Sequence, residues 1–171
     1  PLAWLIPYRK FDFGEIFGQQ MCVPMVFEEL RSLPEKYPSL KEMGFFIAGF
    51  NWFVDWFISP IMMVSLLLFP NKAMKPMAKL LFWGMKKFSA PPYRTILQVD
   101  SSGIKDGKAT SFKMILSHQD EYLFTAIPVI ACLLQYLDGS LKKPGLWLMG
   151  QVVDPDRLMQ DMERLGIQRE I

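Results

Sequence analysis

Residues 93–117 read YRTILQVDSSGIKDGKATSFKMILS, and Asp106-Gly107 divides them into two alternating arms. An Asp-Gly pair between such arms is a type I′ turn signal, because both central positions need positive φ. In the first arm, 93–105, Thr95, Leu97 and Val99 share one face. In the second, 108–117, Phe112, Met114 and Leu116 share one face, opposed by Ser111, Lys113 and Ser117. Period-two alternation predicts an antiparallel hairpin with one buried face and one more polar face. Ile96 and Ile115 stand among the polar residues of that second face. Apolar side chains there predict a covered surface, and so a homodimer built on the sheet.

The flanks extend the pattern. Asp120 can cap a helix over 121–137, which is apolar nearly all round and is expected to be central. Asp138-Gly139 stops it, and 145–153 reads as extended. Asp154-Pro155 is a cap followed by proline at the first helical position. Leu158, Met162 and Leu165 line one face of that last helix, and Gly166 ends it. On the other side, Ser89-Ala90-Pro91-Pro92 closes a helix over 71–87. Its Lys72, Lys75, Lys79, Lys86 and Lys87 predict a solvated basic face. Before it, 43–50 reads as a buried strand, Asn51 as a helix cap, and 52–69 as a helix apolar on every side. The first 40 residues, broken by Pro7, Gly14, Gly18, Pro24, Pro34 and Pro38, predict short extended pieces and one short helix near 26–32. This order lacks βαβ alternation. It predicts an α+β fold, with a mostly antiparallel sheet and helices packed on one face, in a single domain over 1–171.

Composition narrows the function. With 51% hydrophobic and 21% charged residues, disorder and a disulfide-stapled scaffold are excluded. A net charge of +2 gives no case for a nucleic-acid partner. Cys22 and Cys132 lie outside any CxxC and His118 is the only histidine, so no metal site is expected. Both cysteines read as reduced core residues of a cytoplasmic protein. Residues 1–7 have no basic start or cleavage site, and a first residue Pro1 predicts a processed chain or a fragment.

From 43 to 69 the only charge is Asp55, and 50–69 is long enough to span a bilayer. Insertion energies sum to about zero, and Asn51, Pro60 and two serines oppose them. A buried core helix is the expectation. A spanning helix and a peripheral or oligomer contact are the alternatives. An apolar helix followed by a basic amphipathic one also suits a membrane surface.

No GxGxxG, GxxxxGK[ST] or GxSxG motif occurs. The cluster Ser117-His118-Gln119-Asp120 remains, where a histidine can shuttle a proton or bind a carboxylate, or simply sit beside a helix start. Tyr93-Arg94 suits an anion, or a solvated strand edge.

Four segments resemble, in order, those of saccharopine dehydrogenase-like oxidoreductases. They are Gly49-Phe50-Asn51-Trp52-Phe53-Val54-Asp55, Phe88-Ser89-Ala90-Pro91-Pro92-Tyr93, Leu116-Ser117-His118-Gln119-Asp120-Glu121-Tyr122 with Thr125-Ala126-Ile127-Pro128, and Lys143-Pro144-Gly145-Leu146-Trp147 with Val153-Asp154-Pro155 and Leu165-Gly166-Ile167. The resemblance implies an N-terminal Rossmann domain for NAD(P) and a C-terminal α+β domain like that of glyceraldehyde-3-phosphate dehydrogenase. That second domain closes over the nicotinamide, holds a small-molecule substrate and makes the dimer. This chain is similar to the second domain alone. The resemblance therefore implies that the Rossmann domain of the parent protein is absent and that this fragment, inactive alone, binds no cofactor itself. It also implies His118 as a catalytic candidate and Asn51, Trp52, Tyr93 and Arg94 as substrate-binding candidates. The apolar 56–69 run departs from the lysine-pathway enzymes and leaves room for a lipid-like substrate. The competing reading is a non-catalytic membrane- or lipid-associated module using 52–69.

Overall fold

The computed structural model describes residues 9–91 and 93–171. Residues 1–7, read above as lacking a signal peptide, lie outside the described residues, as does Pro92. The fold class is α+β, with two antiparallel three-stranded sheets and helices. The chain divides into two compact units, one ending at residue 92 and one running from Tyr93 to Ile171.

In the first unit β1 (Arg9–Asp12), β2 (Gln19–Met25) and β3 (Phe45–Ala48) form a sheet in that order. A one-turn helix α1 (Gly14–Phe17) joins the first two, and Asp12 accepts from the Gly14 N–H at 2.9 Å. The register places Cys22 opposite both Arg9 and Ala48, where the thiol is buried. The short helix expected near 26–32 is a 3-10 turn, Glu28–Ser32, running into α2 (Leu33–Lys36). The strand expected over 43–50 is limited to Phe45–Ala48 and is half-buried rather than buried.

Helix begins at Trp52, passes through a π turn at Val54–Ile58, and continues as α3 (Ser59–Leu68). Asn51 caps it, its Oδ1 accepting from the Val54 N–H at 2.9 Å. α4 (Pro70–Phe88) follows directly and packs on α3. Its inward stripe includes Ala73, Met77, Leu80, Gly84 and Phe88, at helical spacing. The expectation of a buried helix over 52–69 is corrected here. Only Val54 and Ile58 are buried, and Trp56, Phe57, Ile61, Met63, Val64, Leu67 and Leu68 are exposed. One neighbouring helix covers one stripe, and an all-apolar helix has several. No helix among the described residues is long and apolar enough to cross a membrane.

The second unit is built on the hairpin. β4 (Thr95–Lys105) and β5 (Lys108–His118) pair Leu97 with Leu116, Val99 with Met114 and Ser101 with Phe112. Asp106 and Gly107 have φ of 53° and 74°, the values a type I′ turn needs. β6 (Gln168–Glu170), absent from the sequence reading, adds to the β5 edge. α5 (Glu121–Leu137) and α6 (Pro155–Arg164) bring Ile127, Ala131, Leu158 and Met162 onto Leu116 and Ile167. Asp120 accepts from the Tyr122 and Leu123 N–H groups at 2.8 and 3.0 Å, and Asp154 from Arg157 at 3.0 Å, so both caps form as read. α5 is not central, however. Leu123, Val129, Ile130, Leu133 and Leu137 are exposed, because the sheet and α6 meet it on one side. Nor is 145–153 a strand. Gly145 turns the chain with φ of 114°, Trp147 Nε1 closes on the Pro144 carbonyl at 2.9 Å, and Met149–Gln151 is a 3-10 turn.

Acid stability follows from the end of α5. The Ser140 N–H donates to Asp138 at 2.9 Å, and Arg157 of α6 forms an ion pair with the same carboxylate. The Ser140 backbone hydrogen bond, then the Ser140 hydroxyl and Arg157, lower its pKa from 3.8 to about 2. A carboxyl depressed on folding stabilises the folded state above its unfolded pKa, and that contribution disappears as pH falls through the folded value. The chain is expected to lose stability between pH 3.8 and about 2 through this group. Thermal melts of Asp138→Asn should show a flatter acid limb than the parent. Parallel limbs would remove Asp138 from the account.

Candidate functional site

His118 is the last residue of β5, paired with Thr95, and α5 starts three residues later. Its Nδ1 lies 2.9 Å from the Asp120 N–H and 2.9 Å from the Asp120 carbonyl. The ring can accept from the first as one tautomer and donate to the second as the other. Nδ1 therefore has a backbone partner in either tautomer. The ring's Nε2 lies toward Gly166, where an added Cβ would stand 3.8 Å from it. Gly166 has φ of 109° and ends α6, so the residue that ends this helix also leaves space beside the imidazole.

Arg94 leads a separate cluster. It donates to Ser117 Oγ at 3.0 Å and, from the same nitrogen, to the Gln168 side-chain oxygen. Its Nε is buried without a hydrogen-bond partner, and Ser117 is buried. Successive strand residues point to opposite faces. Arg94 and Ser117 thus share the face opposite to His118 and Leu116. The structure does not join Arg94 and His118 in one constellation. Tyr93, beside Arg94, is exposed.

Asn51 and Trp52 belong to the first unit. The Asn51 amide donates to the Gly84 carbonyl at 3.4 Å and to Ser89 Oγ at 3.3 Å, besides capping Val54. It ties the start of one helix to the end of the next. Trp52 is exposed and meets Phe53, Phe57 and Phe88 edge-on. Asp55 holds the turn shut by accepting from the Phe50 N–H at 3.1 Å.

Two concavities, one beside Ser101 and Phe112 and one beside Tyr136 and Lys142, include none of the five candidates. No group of three His, Cys, Asp or Glu residues among those described is placed to hold a metal. A dinucleotide pyrophosphate needs free N–H groups at a helix start. Here the carboxylates of Asp120 and Asp154 already fill the starts of α5 and α6. These two helix starts do not fit a dinucleotide.

Sequence reasoning missed Gln135, which is buried. Its amide donates to the Asp154 carbonyl at 3.2 Å and accepts from the Asp154 N–H at 2.9 Å. The signal was present, since Gln135 is the single amide in a helix with no other polar side chain but tyrosine after Thr125.

The chain is 28% identical over 178 residues to carboxynorspermidine synthase of Vibrio cholerae serotype O1 (strain ATCC 39315 / El Tor Inaba N16961). That match covers 92% of this chain and 42% of the relative, so the chain spans less than half of that protein's length. No family model matches the chain, and no solved structure matches it.

Proposed function

We propose that this chain is the substrate-binding and dimerisation part of an NAD(P)-dependent oxidoreductase of the saccharopine dehydrogenase-like kind. The observation that carries this reading is the similarity to carboxynorspermidine synthase along 92% of the chain. The relative's name denotes a carboxylated polyamine, so a small molecule carrying amine and carboxylate groups is the substrate class to test first. The capped starts of α5 and α6 support a division of labour in which another domain of the same protein holds the dinucleotide. A nicotinamide held there would supply hydride chemistry toward the substrate. This chain's part is to bind, orient and exclude water. His118 is the group proposed to contact substrate and handle a proton, because Asp120 holds its ring at Nδ1 and Nε2 lies toward Gly166, which has no side chain. Ile96 and Ile115, half-buried on the sheet face away from the helices, mark the proposed dimer surface.

The test is turnover by the full-length protein, followed by nicotinamide absorbance with amine and carbonyl substrate pairs. His118→Ala should lower kcat/KM at least about tenfold, equivalent to about 1.4 kcal/mol of transition-state stabilisation. Unchanged kinetics with a lower melting temperature would assign His118 to holding the helix start. Absence of any nicotinamide-linked turnover would sink the oxidoreductase reading itself.

A further inference from the structure

The chain has six arginines, and five of them have a carboxylate within ion-pair distance. Arg9 pairs with Glu42, Arg31 with Glu28, Arg157 with Asp138 and Asp161, Arg164 with Asp161, and Arg169 with Glu163. Arg94 alone has none among the described residues. It is half-buried, where an uncompensated charge is more costly than in open water. Both of its hydrogen bonds leave from Nη2 and end on neutral oxygens, Ser117 Oγ and the Gln168 side-chain oxygen. Its Nε is buried without a partner. The side chain runs across the sheet face, from the residue before β4, over Ser117 of β5, to Gln168 of β6, and the register sets Ser117 and Gln168 side by side. An arginine only donates, so the Gln168 atom that meets it is the oxygen, and the amide NH2 remains as a donor beside the guanidinium. Ser117 and Gln168 thus orient the guanidinium without neutralising it.

We propose that Arg94, oriented by Ser117 and Gln168, binds a carboxylate. Three features select this chemistry. A planar guanidinium fork matches a planar carboxylate. The site offers one positive charge among neutral partners, and Glu170, two residues beyond Gln168, stands on the same sheet face. That balance suits a single negative charge and disfavours a phosphate dianion. Ile96 and Ile115, half-buried on this face, give a hydrocarbon body attached to the carboxylate an apolar contact. A free small molecule and an acidic side chain of a second copy are the two sources of such a group, and the experiment separates them. The site lies on the face opposite to His118. The inference therefore does not rest on the oxidoreductase reading, and its experiment does not measure turnover.

The experiment is thermal unfolding of the full-length protein against sodium butyrate, with sodium chloride at matched ionic strength as the reference. Butyrate should raise the melting temperature saturably, because it binds the folded state. Butyramide, its neutral isostere, and inorganic phosphate should raise it less. Arg94→Gln should weaken the apparent affinity for butyrate at least about tenfold. Arg94→Lys keeps the charge without the fork and should retain an intermediate affinity, which separates loss of the site from loss of the fold. Gln168→Ala should also weaken butyrate binding, because it frees the guanidinium to turn. Where an acidic side chain of a second copy fills the site instead, sedimentation velocity shows a dimer that butyrate and Arg94→Gln both dissociate. Parent and Arg94→Gln responding alike to butyrate in both measurements would overturn the proposal. So would a shift with butyramide or phosphate that matches the shift with butyrate.

Discussion

Gln135→Leu is expected to cost about 2 kcal/mol of folding stability, read as a shift of the urea midpoint. The side chain is 1% exposed and both ends of its amide are bonded to Asp154. Leucine has similar bulk, so the loss comes not from a cavity but from the Asp154 N–H, left without an acceptor, while the Asp154 carbonyl keeps the Leu158 N–H at 2.9 Å. Each buried polar group left unpaired costs about 1–3 kcal/mol. The orphaned residue is also the cap of α6, the helix that carries Leu158 and Met162 into the core. Leu137→Ala, two residues on and 76% exposed, is the matched control and should change stability by less than about 0.5 kcal/mol. A cost below about 1 kcal/mol for Gln135→Leu would mean that water replaces the amide.

Gly84→Leu is expected to destabilise the first unit by about 3 kcal/mol. A Cβ at this position would overlap Ile58 Cδ1 and stand 3.1 Å from Val54 Cγ2. Those two residues are the buried ones in the π turn, and Gly84 is where α4 crosses them. The Gly84 carbonyl also accepts from Asn51, so separating the helices weakens the cap as well. Glycine in a helix interior costs about 1 kcal/mol relative to alanine, which the close approach must outweigh. Gly84→Ala paired with Ile58→Val, which removes the Cδ1, should therefore be tolerated far better than Gly84→Leu. The coupling is measurable as a double-mutant cycle by urea unfolding. Additive costs would show that the two residues do not share this contact.

The sheet face reading at the hairpin shows how local information suffices when a turn fixes register. Asp106-Gly107 sets the pairing, and pairing sets which residues face the core, so Leu97, Met114 and Leu116 were legible. Caps at Asn51, Asp120 and Asp154 were legible for the same reason, since each acts on N–H groups within three residues. Burial was not. The helices 52–69 and 121–137 have similar apolar patterns to central helices, but how many neighbours surround a helix is decided by the rest of the chain.

The candidate site divided along the same line. His118 could be placed at a strand-to-helix junction from its sequence neighbours alone. That Arg94 reaches Ser117 and Gln168 on the opposite face required β6, a three-residue strand whose pairing partner is some 50 residues away. The sequence by itself determined the fold class, the hairpin and the caps at Asn51, Asp120 and Asp154, because propensity, turn chemistry and capping act over a few residues. Only the tertiary structure decided which faces are covered, that Gln135 pins α6, and that the outer stripe of α3 stays in contact with solvent. Those depend on pairings between distant segments, and no spacing within one segment encodes them.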